Sequence, residues 1–244
     1  MGDNPVEVQV LLAAPYKICS AFPKSVETCK TKTNMPFRIE ICAGLGSGKT
    51  TLTKALESHG FTAVHENFEK NPHLDAFYAA PGPDTAYAKD LWYIEDQGRQ
   101  LQDLKDKTGP FIVDYSCVLS QAYIMAGLNT PENKATLMNK WKDAIEQCGW
   151  PDVVIVLDLP TQEQMKRIQS RGRISEKDLP MEFLRGLNVA IEKQLAEIPD
   201  AVTVLRIDAC RDFRNDAEIS KLYKEISAVI RSGRGQKNTY LNFK

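Results

Sequence analysis

The sequence lacks several features that would place it in a specialised class of protein. Its six cysteines are scattered and no two form a CxxC pair, which favours a reducing compartment and argues against a structural metal. No apolar run approaches the roughly 18–20 residues that a membrane span needs. Basic residues (31) nearly balance acidic ones (32), so charge gives no reason to expect nucleic acid or an anionic membrane as a partner.

What is present is the composition of an ordinary globular protein, with 43% hydrophobic and 26% charged residues in a chain of 244. This length suits one large domain with a full core. Short β patterns alternate with helical ones, which predicts an α/β fold with a parallel sheet covered by helices on both faces. The predicted strands are residues 37–42, 61–66, 111–115, 153–159 and 202–207, and the predicted helices are residues 49–59, 85–107, 119–127, 132–148, 161–171, 181–197 and 216–232.

The two ends of the chain differ from its body. The first 35 residues contain four lysines, three acidic residues and no arginine, a poor match to an arginine-rich mitochondrial presequence. We expect residues 1–35 to form an N-terminal extension, either a disordered tail or an arm that docks onto a partner. The main domain then covers residues 36–232, and residues 233–244 form a C-terminal tail in a loop or extended conformation.

The strongest motif is a glycine-rich turn between the first predicted strand and the first predicted helix. Residues 43–50, Ala-Gly-Leu-Gly-Ser-Gly-Lys-Thr, form a P-loop in the strand–loop–helix context that this motif requires. Its glycines let backbone N–H groups wrap a polyphosphate, and the helix N-terminus adds its positive dipole. We expect Lys49 to reach the β- and γ-phosphates of ATP or a deoxynucleotide, and the Thr50 hydroxyl to ligate Mg²⁺. The nucleotide-binding residues predicted here are Gly44, Gly46, Ser47, Gly48, Lys49, Thr50 and Thr51.

Ligands of parallel α/β sheets bind at the carboxyl ends of the strands, so the residues that follow the strands are candidates for chemistry. Glu66 follows the second strand pattern, where a carboxylate can take a proton from an attacking hydroxyl. Asp114 holds the equivalent place on the third and would bind Mg²⁺ directly or through water. Beyond the fourth strand, Arg167 and Arg171 share a helix face, and Arg173 follows a glycine. Three guanidiniums beside such a hinge can close over a phosphate chain.

The combination of these features resembles the deoxynucleoside kinase family, especially its bacterial deoxyadenosine and deoxyguanosine kinase branch. The resemblance runs from about residue 37 to residue 195. It depends on the P-loop, the segment from Glu66 to Tyr78, the triplet Asp114-Tyr115-Ser116, and the arginine-rich segment that ends at Glu176. It implies a P-loop kinase fold with a five-stranded parallel sheet, helices on both faces and an Arg-rich lid, usually in a homodimer.

The resemblance also implies roles for individual residues. Glu66 corresponds to the family's general base for the acceptor hydroxyl, and Asp114 to an acid near Mg²⁺. Tyr78 and Glu176 correspond to positions that hold the sugar 3′-hydroxyl, and Arg171 and Arg173 to lid arginines on the donor phosphates. Arg167, which shares a helix face with Arg171, is a further predicted nucleotide contact. The predicted catalytic residues are Glu66, Lys49, Arg171 and Arg173.

Two positions on the acceptor side depart from the family pattern. Tyr115 stands where the family has an arginine beside the acceptor 5′-oxygen, and a tyrosine cannot supply its positive charge. Trp92 aligns with a glutamine that pairs with the acceptor base, so a bidentate amide contact would be lost. We therefore predict that Tyr115 and Trp92 belong to the substrate site and alter catalysis or base choice, whereas the phosphate-donor half is intact.

Two functions stay open from the sequence. The first is ATP-dependent phosphoryl transfer to the 5′-hydroxyl of a nucleoside or deoxynucleoside by a homodimer, which the P-loop, the lid and Glu66 favour. The second is a nucleotide-binding, catalytically impaired accessory subunit of a larger assembly, since mitochondrial respiratory complex I has a subunit with a deoxynucleoside-kinase-like fold. Both place the protein in the cytoplasm or the mitochondrial matrix rather than outside the cell, and neither involves nucleic acid.

Overall fold

Strands and helices alternate through the computed structural model, which describes residues 35–173, 176, 179–232 and 239–240. The strands are β1 (Arg38–Cys42), β2 (Thr62–Val64), β3 (Phe111–Val113), β4 (Val153–Asp158), β5 (Thr203–Asp208) and β6 (Thr239–Tyr240). The helices are α1 (Lys49–Glu57), α2 (Leu74–Ala79), α3 (Pro83–Gln102), α4 (Cys117–Ala126), α5 (Pro131–Cys148), α6 (Thr161–Arg171), α7 (Met181–Glu197) and α8 (Asp216–Ser232), with a 3₁₀ turn at Phe68–Lys70. Within this part of the chain, no helix is both long and apolar enough to cross a bilayer.

The strands form one parallel sheet in the order β2-β3-β1-β4-β5-β6. The prediction of five parallel strands is confirmed, and the two-residue β6, from the predicted C-terminal tail, extends the β5 edge. Because β1 is central, the P-loop that follows it lies in the middle of the carboxyl edge of the sheet. The segments after β2 and β3 lie beside it at the same edge, which places Glu66 and Asp114 next to the P-loop. The predicted N-terminal extension lies outside the described residues.

The two faces of the sheet are covered by different helices. On one face, Ile39 and Ile41 of β1 belong to a buried cluster with residues of α1 and α8. On the other face, Cys42 belongs to a cluster that α4, α5 and α7 complete. Cys42 and Cys117 are both buried free thiols, as predicted from their apolar surroundings. The P-loop therefore emerges from a strand that is packed on both sides, which fixes its starting point.

A buried ion pair in β1 connects the end of α5 and the start of α4 to the sheet. The Arg38 Nε donates to Glu40 Oε1 at 2.9 Å, and both side chains are almost fully buried. The Arg38 guanidinium also donates to the carbonyls of Cys148 and Gly149 at the end of α5. The second oxygen of Glu40 accepts from the backbone N–H of Cys117 at 3.0 Å, where α4 begins. Since these hydrogen bonds compensate the buried charges, the pair holds the two helix ends in place.

Candidate active site

The P-loop adopts a conformation that only glycine tolerates well at two of its positions. Gly46 has φ of 75° and Gly48 has φ of 93°, in the left-handed region. A Cβ on Gly46 would lie 2.8 Å from the backbone carbonyl oxygen of Gln164. The Lys49 ammonium donates to the carbonyls of Ala43 (3.1 Å) and Gly44 (3.4 Å) and so lies over the loop. This is a cradle of backbone amides with a cation at its mouth, which suits a polyphosphate.

Uncharged side chains from α6 and α7 hold the P-loop from behind. The buried amide of Gln164 lies 3.4 Å from the Ser47 hydroxyl and 3.3 Å from Asn188 Oδ1. Asn188 in turn donates to Gln164 Oε1 at 3.2 Å and to the Thr161 hydroxyl at 3.3 Å. Ser47 is completely buried, so only its backbone would be available for the predicted nucleotide binding.

Thr50 and Asp114 form a pair that suits a magnesium ion. Burial raises the pKa of the Asp114 carboxyl, and the neighbouring Thr50 hydroxyl opposes that rise. The Asp114 Oδ1 is buried and accepts no hydrogen bond from the described residues. His65 Nδ1 lies 3.8 Å from the other oxygen. A buried carboxylate oxygen with spare capacity beside a hydroxyl is the hard-oxygen donor set that Mg²⁺ prefers.

Glu66 lies where a general base would meet the phosphates. It is partly buried in the stretch that follows β2. Burial raises the pKa of Glu66 from its ordinary value of 4.5 to about 7, and the charge of Asp114 adds to the rise. The ammonium groups of Lys49 and Lys89 oppose it, as does a hydrogen bond of 3.2 Å from Gln97 Nε2 to Glu66 Oε1. A carboxyl with this pKa exchanges protons near neutral pH, which is the property of an efficient acid–base catalyst.

Aromatic side chains surround Glu66 on the acceptor side. Burial raises the pKa of both Tyr93 and Tyr123, and the charge of Glu66 adds to each rise, so both rings lie near this carboxylate. Tyr78, which is 38% exposed, interacts with the same two tyrosines. The indole of Trp92 packs edge-on against Tyr93, with ring centroids 5.5 Å apart. Tyr78 and Trp92, two of the predicted substrate residues, thus both adjoin Tyr93, and these three rings together with Tyr123 are called the aromatic wall.

A lysine of α3 completes this wall. The Lys89 ammonium lies 5.0 Å from the centre of the Phe77 ring and 5.9 Å from that of Tyr93. It forms an ion pair with Asp90, whose second oxygen accepts from Asn129 Nδ2 at 2.7 Å. The acceptor side therefore contains a cation that is paired with Asp90.

The arginines of the predicted lid converge on Glu176. The Arg171 Nη2 lies 2.5 Å from Glu176 Oε2, and the Arg173 Nη1 lies 3.5 Å from Oε1. The Arg173 guanidinium also stacks over Phe68 at 5.2 Å, while Arg167 donates to the Ala209 carbonyl at 2.9 Å. Glu176 is only 6% exposed. The structure thus joins the two lid arginines to a predicted acceptor contact, and their contact with donor phosphates stays a prediction.

Tyr115 lies in the core, next to α3 and β3. It is 1% exposed and packs with residues of α3 and β3. Its hydroxyl donates to the backbone carbonyl of Gln97 at 3.4 Å. Burial raises its pKa well above 10, so the phenol stays neutral. The charge of Glu66 contributes to the rise in the Tyr115 pKa as it does for Tyr93 and Tyr123, so the three rings share this neighbour. The contact of Tyr115 with an acceptor stays a prediction.

Sequence reasoning did not identify three polar residues that the fold brings to this site. Lys89 and Gln97 lie with Tyr93 at four-residue spacing on α3, so they form a stripe on one helix face. That spacing was visible in the sequence and could have marked the face. Ser120 of α4, which donates to Gln97 Oε1 at 2.8 Å, had no such signal, because only the packing of α4 beside α3 reveals it.

Comparison with known proteins gives a family for this architecture. The deoxynucleoside kinase family model matches residues 39–231. A deoxyguanosine kinase of Bacillus subtilis (strain 168) is 28% identical over 206 residues, which are 80% of this chain and 98% of that protein. A deoxyadenosine kinase of Dictyostelium discoideum is 24% identical over 191 residues, or 76% of this chain and 77% of that protein. The fold also matches a solved deoxyadenosine kinase from M. mycoides with bound dCTP, with a TM-score of 0.66, 19% identity, and coverage of 79% of this chain and all of that one. The chain belongs to the deoxynucleoside kinase family.

Proposed function

We propose that this protein transfers the γ-phosphoryl group of ATP to the 5′-hydroxyl of a nucleoside or deoxynucleoside. The observation that carries the proposal is the position of Glu66, a carboxyl with a pKa of about 7 beside the P-loop lysine, Lys49, and Asp114. Family membership supports it, as do relatives named deoxyguanosine kinase and deoxyadenosine kinase. A base of this pKa, next to a phosphate cradle and an aromatic pocket wall, suits a small hydroxyl-bearing acceptor.

In the proposed reaction, the acceptor 5′-oxygen forms a bond to the γ-phosphorus while the bond to the β–γ bridging oxygen breaks. Glu66 accepts the hydroxyl proton, and ADP leaves with the electron pair of the broken bond. Lys49 stabilises the negative charge on the transferring group, and Arg171 and Arg173 would join it once they turn from Glu176 to the phosphates. Mg²⁺ held by Thr50 and Asp114 would supply further charge neutralisation when bound.

The acceptor would lie against the aromatic wall. Tyr78 and Glu176 would hold its sugar 3′-hydroxyl, and Trp92 would contact its base. The names of the relatives support a deoxynucleoside acceptor. A homodimer in the cytoplasm or the mitochondrial matrix belongs to the same proposal and is supported only by the resemblance to the family.

The test is phosphoryl transfer from labelled ATP to each of the four deoxynucleosides in the presence of Mg²⁺. Turnover by the wild-type protein that is lost in Glu66→Gln and kept in Glu69→Gln would support the proposal and name the acceptor. Glu69 is an exposed glutamate of the adjacent 3₁₀ turn and so is a matched control. Absence of turnover in a protein that still binds ATP would contradict the proposal and favour the accessory-subunit hypothesis.

A further inference from the structure

Gln97 is an unusual residue for its position in the fold. It lies on α3 and is only 2% exposed. Its side-chain Nε2 donates to Glu66 Oε1 at 3.2 Å, and its Oε1 accepts from the Ser120 hydroxyl at 2.8 Å. A buried amide costs folding free energy unless its donors and acceptor are satisfied. Here the two hydrogen bonds of the Gln97 amide connect Ser120 of α4 to Glu66.

Ser120 determines which way the Gln97 amide faces. An ionised carboxylate can only accept hydrogen bonds, so the amide end nearest Glu66 has to be the NH₂ group. The Ser120 hydroxyl stabilises that orientation by donating to the oxygen at the other end of the amide. The hydrogen bond to Gln97 occupies Glu66 Oε1. It leaves Oε2 as the oxygen that is free of the amide and can accept a proton from an acceptor hydroxyl.

We propose that Gln97 is a positioning residue for the reaction, which, together with Ser120, fixes the Glu66 carboxylate so that its Oε2 faces the acceptor hydroxyl. The inference rests on the proposed function, in which Glu66 is the general base. Gln97 itself does not touch the reacting atoms. It acts through the rotamer of Glu66 and through a hydrogen bond that favours the ionised form of the carboxyl.

The charged groups around Glu66 act on it differently from the neutral Gln97 amide. Lys49 from the start of α1 and Lys89 from α3 favour the ionised form, whereas Asp114 after β3 opposes it. These three groups influence Glu66 through their charges, whereas the Gln97 amide donates a hydrogen bond of 3.2 Å to the carboxylate. Loss of the amide should therefore both loosen the base and make it harder to ionise.

The experiment compares steady-state kinetics of the wild-type protein, Gln97→Met, Ser120→Ala and Gln102→Met as a function of pH. Gln97→Met keeps the length of the side chain and removes the hydrogen-bonding groups. We expect its kcat to fall about 10- to 100-fold, with the acceptor KM within about threefold of wild type. The acidic limb of its pH profile should move to higher pH. Gln102→Met, on the same helix where Gln102 bonds only at the surface to Gln147, should match the wild type.

Ser120→Ala tests the inference with a smaller change. It removes one hydroxyl, so it should lower kcat in the same direction but by less, about 3- to 10-fold. The double variant Gln97→Met/Ser120→Ala should be no slower than Gln97→Met alone, because Ser120 acts only through Gln97. If Gln97→Met fails to fold, Ser120→Ala carries the test by itself.

Two results would overturn the inference. One is a Gln97→Met protein with reduced stability but wild-type kcat and an unmoved pH profile, and the other is strictly additive losses in the double variant. If the wild-type protein itself has no turnover, the proposed function fails, and the role of Gln97 is then decided by NMR titration of Glu66. A Glu66 pKa that rises in Gln97→Met would support the inference, and an unchanged pKa would refute it.

Discussion

The donor side and the acceptor side of this site are built in different ways. The donor side is a continuous stretch of backbone, residues 43–50, in which Gly46 and Gly48 have positive φ. The acceptor side is assembled from side chains of separate elements, with Glu66 after β2, Gln97 on α3 and Ser120 on α4. A site made of consecutive backbone can be identified from a short motif, whereas a site made of distant side chains requires the fold.

The two sides also differ in the groups that support them. Neutral side chains, Gln164 and Asn188, hold the P-loop. Glu66 is an ionisable group among other ionisable groups, and burial raises the pKa of this carboxyl to about 7. Changes of pH should therefore act mainly on the acceptor side, and steric changes mainly on the donor side.

The largest expected effect is on the base itself. Glu66→Gln should lower kcat about 10³-fold, since general-base catalysis contributes roughly 10²- to 10⁴-fold. In the wild type, kcat/KM should rise with pH through about 7 and then level off, because only the ionised carboxylate accepts a proton. The pH profile of Glu66→Gln should lack this limb, which steady-state assays between pH 5.5 and 9 would show. A limb that persists in the variant would identify a different base.

Lys49→Met should follow, with a loss of about 10²-fold in kcat, comparable to the removal of other electrostatic stabilisers. The loss should accompany weaker ATP binding while the acceptor KM changes little, because Lys49 lies over the P-loop. Kinetics with each substrate varied in turn would measure both effects. Lys54→Met, an exposed lysine of the same helix, is the control, and an equal loss there would show that the effect is only one of general charge.

Gly46→Ala should weaken ATP binding by about 2 kcal/mol, or roughly 30-fold in Kd, through backbone strain. The new Cβ would meet the Gln164 carbonyl oxygen at 2.8 Å, at a φ of 75° that alanine disfavours. Titration calorimetry with ATP would measure the change. Gly186→Ala in α7, where a Cβ meets nothing within 4 Å, should leave the affinity unchanged, and wild-type affinity in Gly46→Ala would show that the loop relaxes freely.

The pKa of Glu66 also predicts a dependence of stability on pH. It is about 7 in the folded protein and 4.5 ordinarily, so the wild-type protein loses stability as pH rises from about 4.5 to about 7. Glu66→Gln escapes this loss and should be more stable than the wild type by about 1–2 kcal/mol at pH 8.5, with a smaller difference at pH 5. Urea unfolding at the two pH values tests this, and a difference independent of pH would contradict it.

The smallest effect concerns Tyr115. Its hydroxyl makes one long hydrogen bond to the Gln97 carbonyl, so Tyr115→Phe should cost about 0.5–1 kcal/mol of unfolding free energy. Because the ring is buried and its hydroxyl bonds to a backbone carbonyl, kcat should stay within about twofold of wild type. Thermal unfolding and the kinase assay would measure the two effects. A loss of kcat above tenfold would instead indicate that Tyr115 contacts the acceptor, as its place in the family pattern predicts.

The accuracy of sequence reasoning varied along the chain for physical reasons. The helices predicted at 161–171, 181–197 and 216–232 have those bounds in the structure, because proline or glycine next to the first two fixes their ends. The short α2 and the 3₁₀ turn after Glu66 were not predicted, since a helix of six residues carries too little periodicity. The helix predicted at 85–107 begins at Pro83 and ends at Gln102, where a proline at the first turn and the following turns decide its length.

The sequence by itself determined the class of fold, the P-loop and the positions of Glu66 and Asp114 at strand ends, because each depends on neighbours only a few residues away. The tertiary structure decided which side chains surround Glu66. Gln97 is 31 residues from Glu66 in the chain, and Ser120 is 23 residues from Gln97. These contacts exist because strand order brings the segment after β2 beside α3 and α4. The same packing buries Tyr115, since a residue at the end of β3 faces the core or the site according to how α3 covers it.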